Sequence, residues 1–368
     1  MSVDPELRER LERAAASMDV DAERRLERIH VAATRRRRVQ RTRTLAVAAV
    51  IGLVAVILVW QIRLLDRDHI TLTGGPTGRI AFLADRDGHR GVFDLDVESG
   101  DVVGLSPENT SVLWAAWSPD GSRLASIEER PGPRYAIVVS EADGSRPVTI
   151  VEEEATGAVG PDIIDVSWSP DGSRIAYSGR TVEDGVARRT IFIVNADGSG
   201  ASMVLDGLWT SVSCAPDGNG LVALGFPQEG HEGQFDLYAI REDGSEPVQL
   251  TDDELVEHEP SWSPDGSRIV FAAGEDDVSQ DIYVMDADGS NLRRLTDWEG
   301  IDFSPVWSKD GHWIAFASDR DATPVQQASN RSGDAIYTGL SLYVMEADGS
   351  NVRRVLESDA ALPVSWWA

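Results

Sequence analysis

From residue 78 onward, short apolar runs alternate with tight polar turns, and the alternation itself repeats. The recurring phrase is a tryptophan, then Ser-Pro-Asp-Gly, then a second apolar run. It stands at 117–121 and 168–172, as Cys-Ala-Pro-Asp-Gly at 214–218, again at 262–266, and as Trp-Ser-Lys-Asp-Gly at 307–311, at steps of 51, 46, 48 and 45 residues. Each copy predicts a strand ending at the tryptophan, a turn and a second strand such as Arg174-Ile175-Ala176-Tyr177 or Arg268-Ile269-Val270-Phe271. Proline presets φ, aspartate tolerates the bend and glycine supplies φ > 0. A third strand follows (Asp281-Ile282-Tyr283-Val284-Met285; Leu342-Tyr343-Val344-Met345), then a tight Asp-Gly turn at 288–289 or 348–349 and a fourth, such as Leu292-Arg293-Arg294-Leu295. β-Branched and aromatic residues between Asp-Gly turns are hairpin signals.

The two ends of this region complement each other. Its first repeat, at 78–82, begins on a second strand and lacks the tryptophan strand; the chain's last residues, 362–368, are a tryptophan strand alone. The last strand is therefore expected to complete the first sheet beside Ile80, with Trp366 as the sixth copy. The predicted fold class is all-β: a six-bladed β-propeller of four-stranded blades over 78–368, closed by its C-terminal strand so that sheet edges are protected.

A different pattern precedes it. Residues 45–60, LAVAAVIGLVAVILVW, are unbroken apolar, and Ile62, Leu64 and Leu65 extend the run to 45–65. This predicts a single transmembrane helix with Trp60 at the interface and Arg63 snorkelling to the headgroups. Six arginines at 35–38, 41 and 43 stand just before the run, against Arg63 and Arg67 after it, which orients residues 1–44 to the cytoplasm and the propeller to the outer side. The end of the run, VWQIRLL, lacks the small residues of a signal-peptide cleavage site. Residues 1–44 read as a basic arm of two short helices, capped by Asp4-Pro5 and by Asp21, with thin apolar stripes at Leu7, Leu11 and Ala15 and at Leu26, Ile29 and Ala33. Residues 66–77 are a linker.

Charge sharpens this division. The chain carries 34 basic and 62 acidic residues, but 1–65 hold 13 Arg against 8 Asp and Glu. The long acidic body repels phosphate backbones, which argues against nucleic acid as a partner. The one cysteine, Cys214, excludes an internal disulfide and reads as a small hydrophobe standing in a tryptophan's place. Lys309 is the sole lysine among many arginines, a bias towards G- and C-rich codons of the kind seen in actinobacteria.

The phrases WSPDGSRI at 262–269 and DIYVMDADGSNLRRLT at 281–296 resemble the repeat of TolB-like propellers, relatives of WD repeats, and the resemblance spans about residues 78–368. It implies a binding scaffold. TolB itself is a soluble periplasmic protein with an additional N-terminal domain and a lipoprotein partner; here the sequence predicts an anchor helix before the propeller.

Candidate chemistry is sparse. No Gly-x-Ser-x-Gly, HExxH or CxxC occurs, and the Asp-rich phrase at 286–291 lacks the D-x-[DN]-x-[DN]-G pattern and terminal glutamate of a calcium loop, so it reads as a turn. No cofactor or metal is expected. If first strands line a central channel, the residues leading into them ring its mouth: Asp165, Glu257, His258, Glu259, Asp302 and Asp359, five carboxylates and a histidine, a set suited to a cation or a basic peptide end. Asp319–Gly339 reads as a long polar loop. The expected function is non-enzymatic, membrane-tethered, extracytoplasmic binding of a protein, peptide or small ligand. One alternative is a transmembrane signalling protein of anti-sigma-factor type, whose arm at 1–44 binds a cytoplasmic regulator; another is a propeller enzyme using channel carboxylates.

Overall fold

A computed structural model describes residues 76–367 apart from 87–88, 109, 133, 155–162, 184–185, 227–234, 246, 277–278, 324–325, 327–338 and 359–360. The anticipated arm 1–44, the span 45–65, most of the linker 66–77 and Asp359 lie outside the described residues. Among those described, no helix is long and apolar enough to cross a membrane.

The fold is all-β and propeller-like. The first strands are β1 (Arg79–Arg86), β2 (His89–Asp96), β3 (Val102–Gly104), β4 (Val112–Trp117), β5 (Arg123–Arg130), β6 (Arg134–Glu141), β7 (Val148–Glu154) and β8 (Asp165–Trp168). Next come β9 (Arg174–Glu183), β10 (Val186–Asn195), β11 (Ser202–Leu205), β12 (Leu208–Cys214), β13 (Gly220–Phe226), β14 (Asp236–Arg241), β15 (Val248–Gln249) and β16 (Val256–Trp262). The last are β17 (Arg268–Asp276), β18 (Ser279–Asp286), β19 (Arg293–Arg294), β20 (Asp302–Trp307), β21 (Trp313–Ser318), β22 (Ser341–Glu346), β23 (Arg353–Leu356) and β24 (Leu362–Trp367).

Consecutive strands pair antiparallel into four-stranded sheets β4–β7, β16–β19 and β20–β23, and β24 joins β1–β3 in the order β24-β1-β2-β3. Ile80 lies opposite Trp366 there. The groups β8–β11 and β12–β15 share one larger sheet through a single parallel pairing of Arg189 with Leu208.

The Ser-Pro-Asp-Gly phrase works as a self-contained turn. Ser118 Oγ donates to Asp120 Oδ1 (2.6 Å) and accepts from the Arg123 N–H (2.9 Å), while Asp120 Oδ1 also accepts from the Ser122 N–H (3.0 Å). The same set recurs at Ser169/Asp171 and Ser263/Asp265. The serine hydroxyl, then the backbone N–H, hold Asp120, Asp171 and Asp265 down to about 2. The Asp-Gly turns work likewise: Asp288 Oδ1 accepts from the Ser290 N–H (3.0 Å) and hydroxyl (2.6 Å). Gly289, at φ +83°, also lies where a Cβ would press on the Leu250 carbonyl, 2.7 Å away in the preceding sheet, so glycine is needed for approach as well as for φ.

The phrase's tryptophan and arginine fasten neighbouring sheets. Trp168 Nε1 donates to the Ala116 carbonyl (2.9 Å), and the Arg123 guanidinium lies 4.7 Å over the Trp168 ring while donating to the Gly172 carbonyl (2.6 Å). Trp307 repeats this with the Ser261 carbonyl (3.2 Å) and Arg268 (4.7 Å). Cys214 has no ring to offer, and Arg174 turns to an ion pair with Glu242. A void of about 30 Å³ lies against Cys214, Arg174 and Glu242. Burial pushes the Cys214 thiol up to about 11, which keeps it protonated and unreactive at neutral pH.

Candidate functional site: a cavity walled by the first strands

The tryptophan strands converge on one cavity of about 380 Å³, to which β4, β8, β12, β16, β20 and β24 all contribute. Its lining includes the prolines of the turns, Pro119, Pro170, Pro216 and Pro264, with Lys309 where the last copy departs from proline. The residue three before the tryptophan also lines it in four strands: Trp114, Asp165, Glu259 and Ser304.

A backbone irregularity aims these side chains. Pairing with the second strand slips between Val112 and Trp114 in β4, between Thr210 and Val212 in β12, between His258 and Ser261 in β16 and between Phe303 and Val306 in β20. At the slip Ser211, Glu259 and Ser304 take positive φ (46°, 48° and 55°), a conformation that non-glycine residues rarely adopt. A bulge re-aims a side chain, and here it turns Glu259 into the lumen. Prolines follow at 260 and 305, which suits a position whose N–H has left the ladder.

Two carboxyls meet in the cavity. Asp165 Oδ2 accepts from the Val212 N–H (2.7 Å); burial nevertheless pushes its pKa up to about 8. Glu259 is half-buried by surface but enclosed by cavity wall, and its Oε2 has no hydrogen-bond partner. Burial raises it to about 8, the Ser304 hydroxyl pulling down and the Asp165 carboxyl pushing further up. Both therefore stand largely protonated at neutral pH, ready to ionise against an incoming positive charge. Serines close the seams between strands. Ser304 Oγ donates to the Pro363 carbonyl (2.7 Å), Ser365 Oγ accepts from the Trp117 N–H (3.2 Å) and Ser167 Oγ from the Cys214 N–H (3.0 Å).

Of the residues singled out from the sequence, Asp165 and Glu259 come together here, while Glu257, His258 and Asp302 do not wall the cavity. Glu257 is buried towards Thr251 and Asp236 of the preceding sheet and is raised to about 8 by that burial. His258 packs its ring on Phe303, 5.6 Å between centroids. Asp302 is buried against Arg320 (2.6 Å) and is raised to about 6, burial outweighing the guanidinium. Asp319, taken from sequence as the start of a polar loop, is instead fully buried. Its Oδ1 accepts from Trp298 Nε1 (2.8 Å) and the Ile301 N–H (3.0 Å). Sequence reasoning missed Trp114 and Ser304; the in-strand prolines 260 and 305 are the signal that marks the bulge. Among the described residues no group of three or more His, Cys, Asp or Glu is disposed to hold a metal ion.

Comparison with known proteins agrees with the repeat. The model of the TolB β-propeller domain matches residues 126–280 and 260–355. A stretch of 111 residues is 32% identical to dipeptidyl-peptidase 5 of Porphyromonas endodontalis; it takes in 29% of this chain but only 16% of the peptidase. TolB from Acinetobacter baumannii has a similar structure, with a TM-score of 0.61 at 17% identity over 80% of this chain and 68% of that one. A putative TolB from Agrobacterium tumefaciens gives 0.56 at 21% identity over 80% and 95%. At those identities the likeness is one of fold. With the family model covering well over half of its residues, this chain belongs to the TolB β-propeller domain family.

Proposed function

We propose that this chain is a single-pass membrane protein whose six-bladed propeller stands on the outer side and binds, without catalysis, a segment of a protein or peptide in the central cavity. One blade per tryptophan strand gives six, with the eight-stranded sheet read as two blades sharing one parallel pairing. The apolar run 45–65 is the anchor and the arginines before it set the orientation. The observation that carries the reading is the cavity itself, about 380 Å³, walled from every tryptophan strand and holding Asp165 and Glu259. A lumen of that size takes one or two side chains or a chain end, and its two carboxyls favour an amine- or guanidinium-bearing segment.

Binding rather than turnover is the role that the TolB-like repeat implies, and buried carboxyls raised to about 8 can serve it by ionising against a bound cation.

The test is a photoreactive residue at Ser213, on the cavity wall, in the intact membrane-embedded protein, with Val103 on an exposed outer strand as control. The expected result is one discrete crosslinked partner from position 213, lost in Glu259→Arg. Equal crosslinking from both positions, or none from 213, rejects the reading.

A further inference from the structure

Two successive sheet junctions are built on one template, and one of them lacks its cation. The strand β20 with its lead-in, Leu-Thr-Asp-Trp-Glu-Gly-Ile-Asp at 295–302, aligns without gaps on Leu-Thr-Asp-Asp-Glu-Leu-Val-Glu at 250–257 before and within β16. Thr296 Oγ1 accepts from the Ile282 N–H and Thr251 Oγ1 from the Leu237 N–H, both at 2.9 Å. Phe316 stacks on Tyr343 at 5.8 Å, and Phe271 on Tyr283 at 6.0 Å. Asp302 faces Ser318 across the strand pair, and Glu257 faces Ala273.

At the β20 junction the buried carboxylate is answered by Arg320. Its guanidinium lies 2.6 Å from Asp302, donates from Nε to Ser318 Oγ (2.9 Å), and sits over the rings of Trp298, Phe316 and Tyr343 at 5.6, 5.5 and 5.1 Å. At the β16 junction the residue aligned with Arg320 is Glu275, the one aligned with Trp298 is Asp253, and both are exposed. Gln249 stands where the other junction has Arg294. Glu257 is 1% exposed, the Thr251 hydroxyl beside it eases its charge only in part, and no cation lies among the groups that act on it. A carboxyl buried this deeply with no cation beside it costs stability when it ionises, and a guanidinium with five N–H donors is the group that the adjoining repeat uses to satisfy it.

We propose that Glu257 receives an arginine side chain of a partner protein in the place that Arg320 fills one repeat later, a place that the alignment bounds by the stacked Phe271 and Tyr283 and by the exposed Asp253 and Glu275. The guanidinium enters between these exposed carboxylates and ends on Glu257 with its plane against the aromatic pair. The site is separate from the cavity, because none of these residues walls it, so either reading can fail without the other.

The experiment uses the full chain in detergent micelles with N-acetylarginine amide as probe and the neutral N-acetylcitrulline amide as control, at pH 9, where Glu257, held up to about 8 by burial, is ionised. Calorimetric titration and thermal unfolding are read together. The arginine probe binds and raises Tm, the citrulline probe does neither, and Glu257→Gln weakens arginine binding by about tenfold or more. Glu275→Arg supplies the missing guanidinium from within the chain. It raises Tm without probe and abolishes the response to probe. Equal responses to arginine and citrulline, an undiminished response in Glu257→Gln, or a Glu275→Arg protein that still takes the probe normally each overturn the proposal.

Discussion

Replacing Trp168 by cysteine converts one ordinary sheet junction into the kind that Cys214 makes naturally, and the cost follows from what the indole touches. Trp168 is 5% exposed. Of the roughly 200 Å² that a buried indole removes from water, about 120 Å² is forfeited, which is about 3 kcal/mol at about 25 cal/mol per Å². The Nε1 bond to the Ala116 carbonyl adds about 1 kcal/mol, softened because that carbonyl borders the cavity and can turn to water. The Arg123 guanidinium over the ring adds about 0.5–1 kcal/mol. Trp168→Cys is therefore expected to cost about 4–5 kcal/mol, read by urea unfolding of the full chain followed by circular dichroism. Its double-mutant cycle with Arg123→Met isolates a coupling of about 0.5–1 kcal/mol. At the natural cysteine junction Arg174→Met breaks only a part-exposed ion pair and costs less than about 1 kcal/mol. A Trp168→Cys cost below about 1.5 kcal/mol, or zero coupling to Arg123, refutes the view that indole and guanidinium fasten the sheets.

Three further outcomes are expected. Asp165, Glu257 and Glu259 have folded pKa values near 8, above their unfolded values, so the unfolded state ionises first. Their contribution is fully present below about pH 4 and is lost as pH rises to about 8. Chemical unfolding between pH 4.5 and 8.5 should show that decline, and Glu259→Gln should flatten it. Asp120, Asp171 and Asp265 act in the opposite sense: held to about 2, they stabilise above about pH 4 and cease to do so as pH falls through 2, so Asp120→Ala should shrink the acid limb of the same profile. For the proposed anchor, alkaline carbonate should leave the full chain in the membrane and release a chain lacking 45–65, and protease added outside intact cells should reach the propeller but not residues 1–44.

The repeated phrase was legible because each of its residues solves a local problem: the serine and aspartate close the turn, glycine takes positive φ, and tryptophan and arginine span to the next sheet. The outer strands were less so. Leu292-Arg293-Arg294-Leu295 reads as a strand, but only Arg293–Arg294 forms β19, because Asn291 takes φ 56° just before it and an outermost strand has a neighbour on one side alone. The site was half legible. Glu257 and Glu259 are two apart and on a regular strand would share a face. The slip between His258 and Ser261 sends Glu259 into the cavity and leaves Glu257 in the sheet junction. Pro260 hints at that slip, but its direction depends on pairing with β17. Asp319 was misread for a similar reason, since the indole and N–H that it serves come from the segment before β20.

The account turns on a partner seated in the central cavity. Cryo-electron microscopy of the full chain, solubilised together with the partner that copurifies with it, tests this directly. The prediction is density inside the lumen, between the tryptophan strands and against Glu259 and Asp165. A bound partner lying wholly on the outer strands, with the lumen empty, contradicts it.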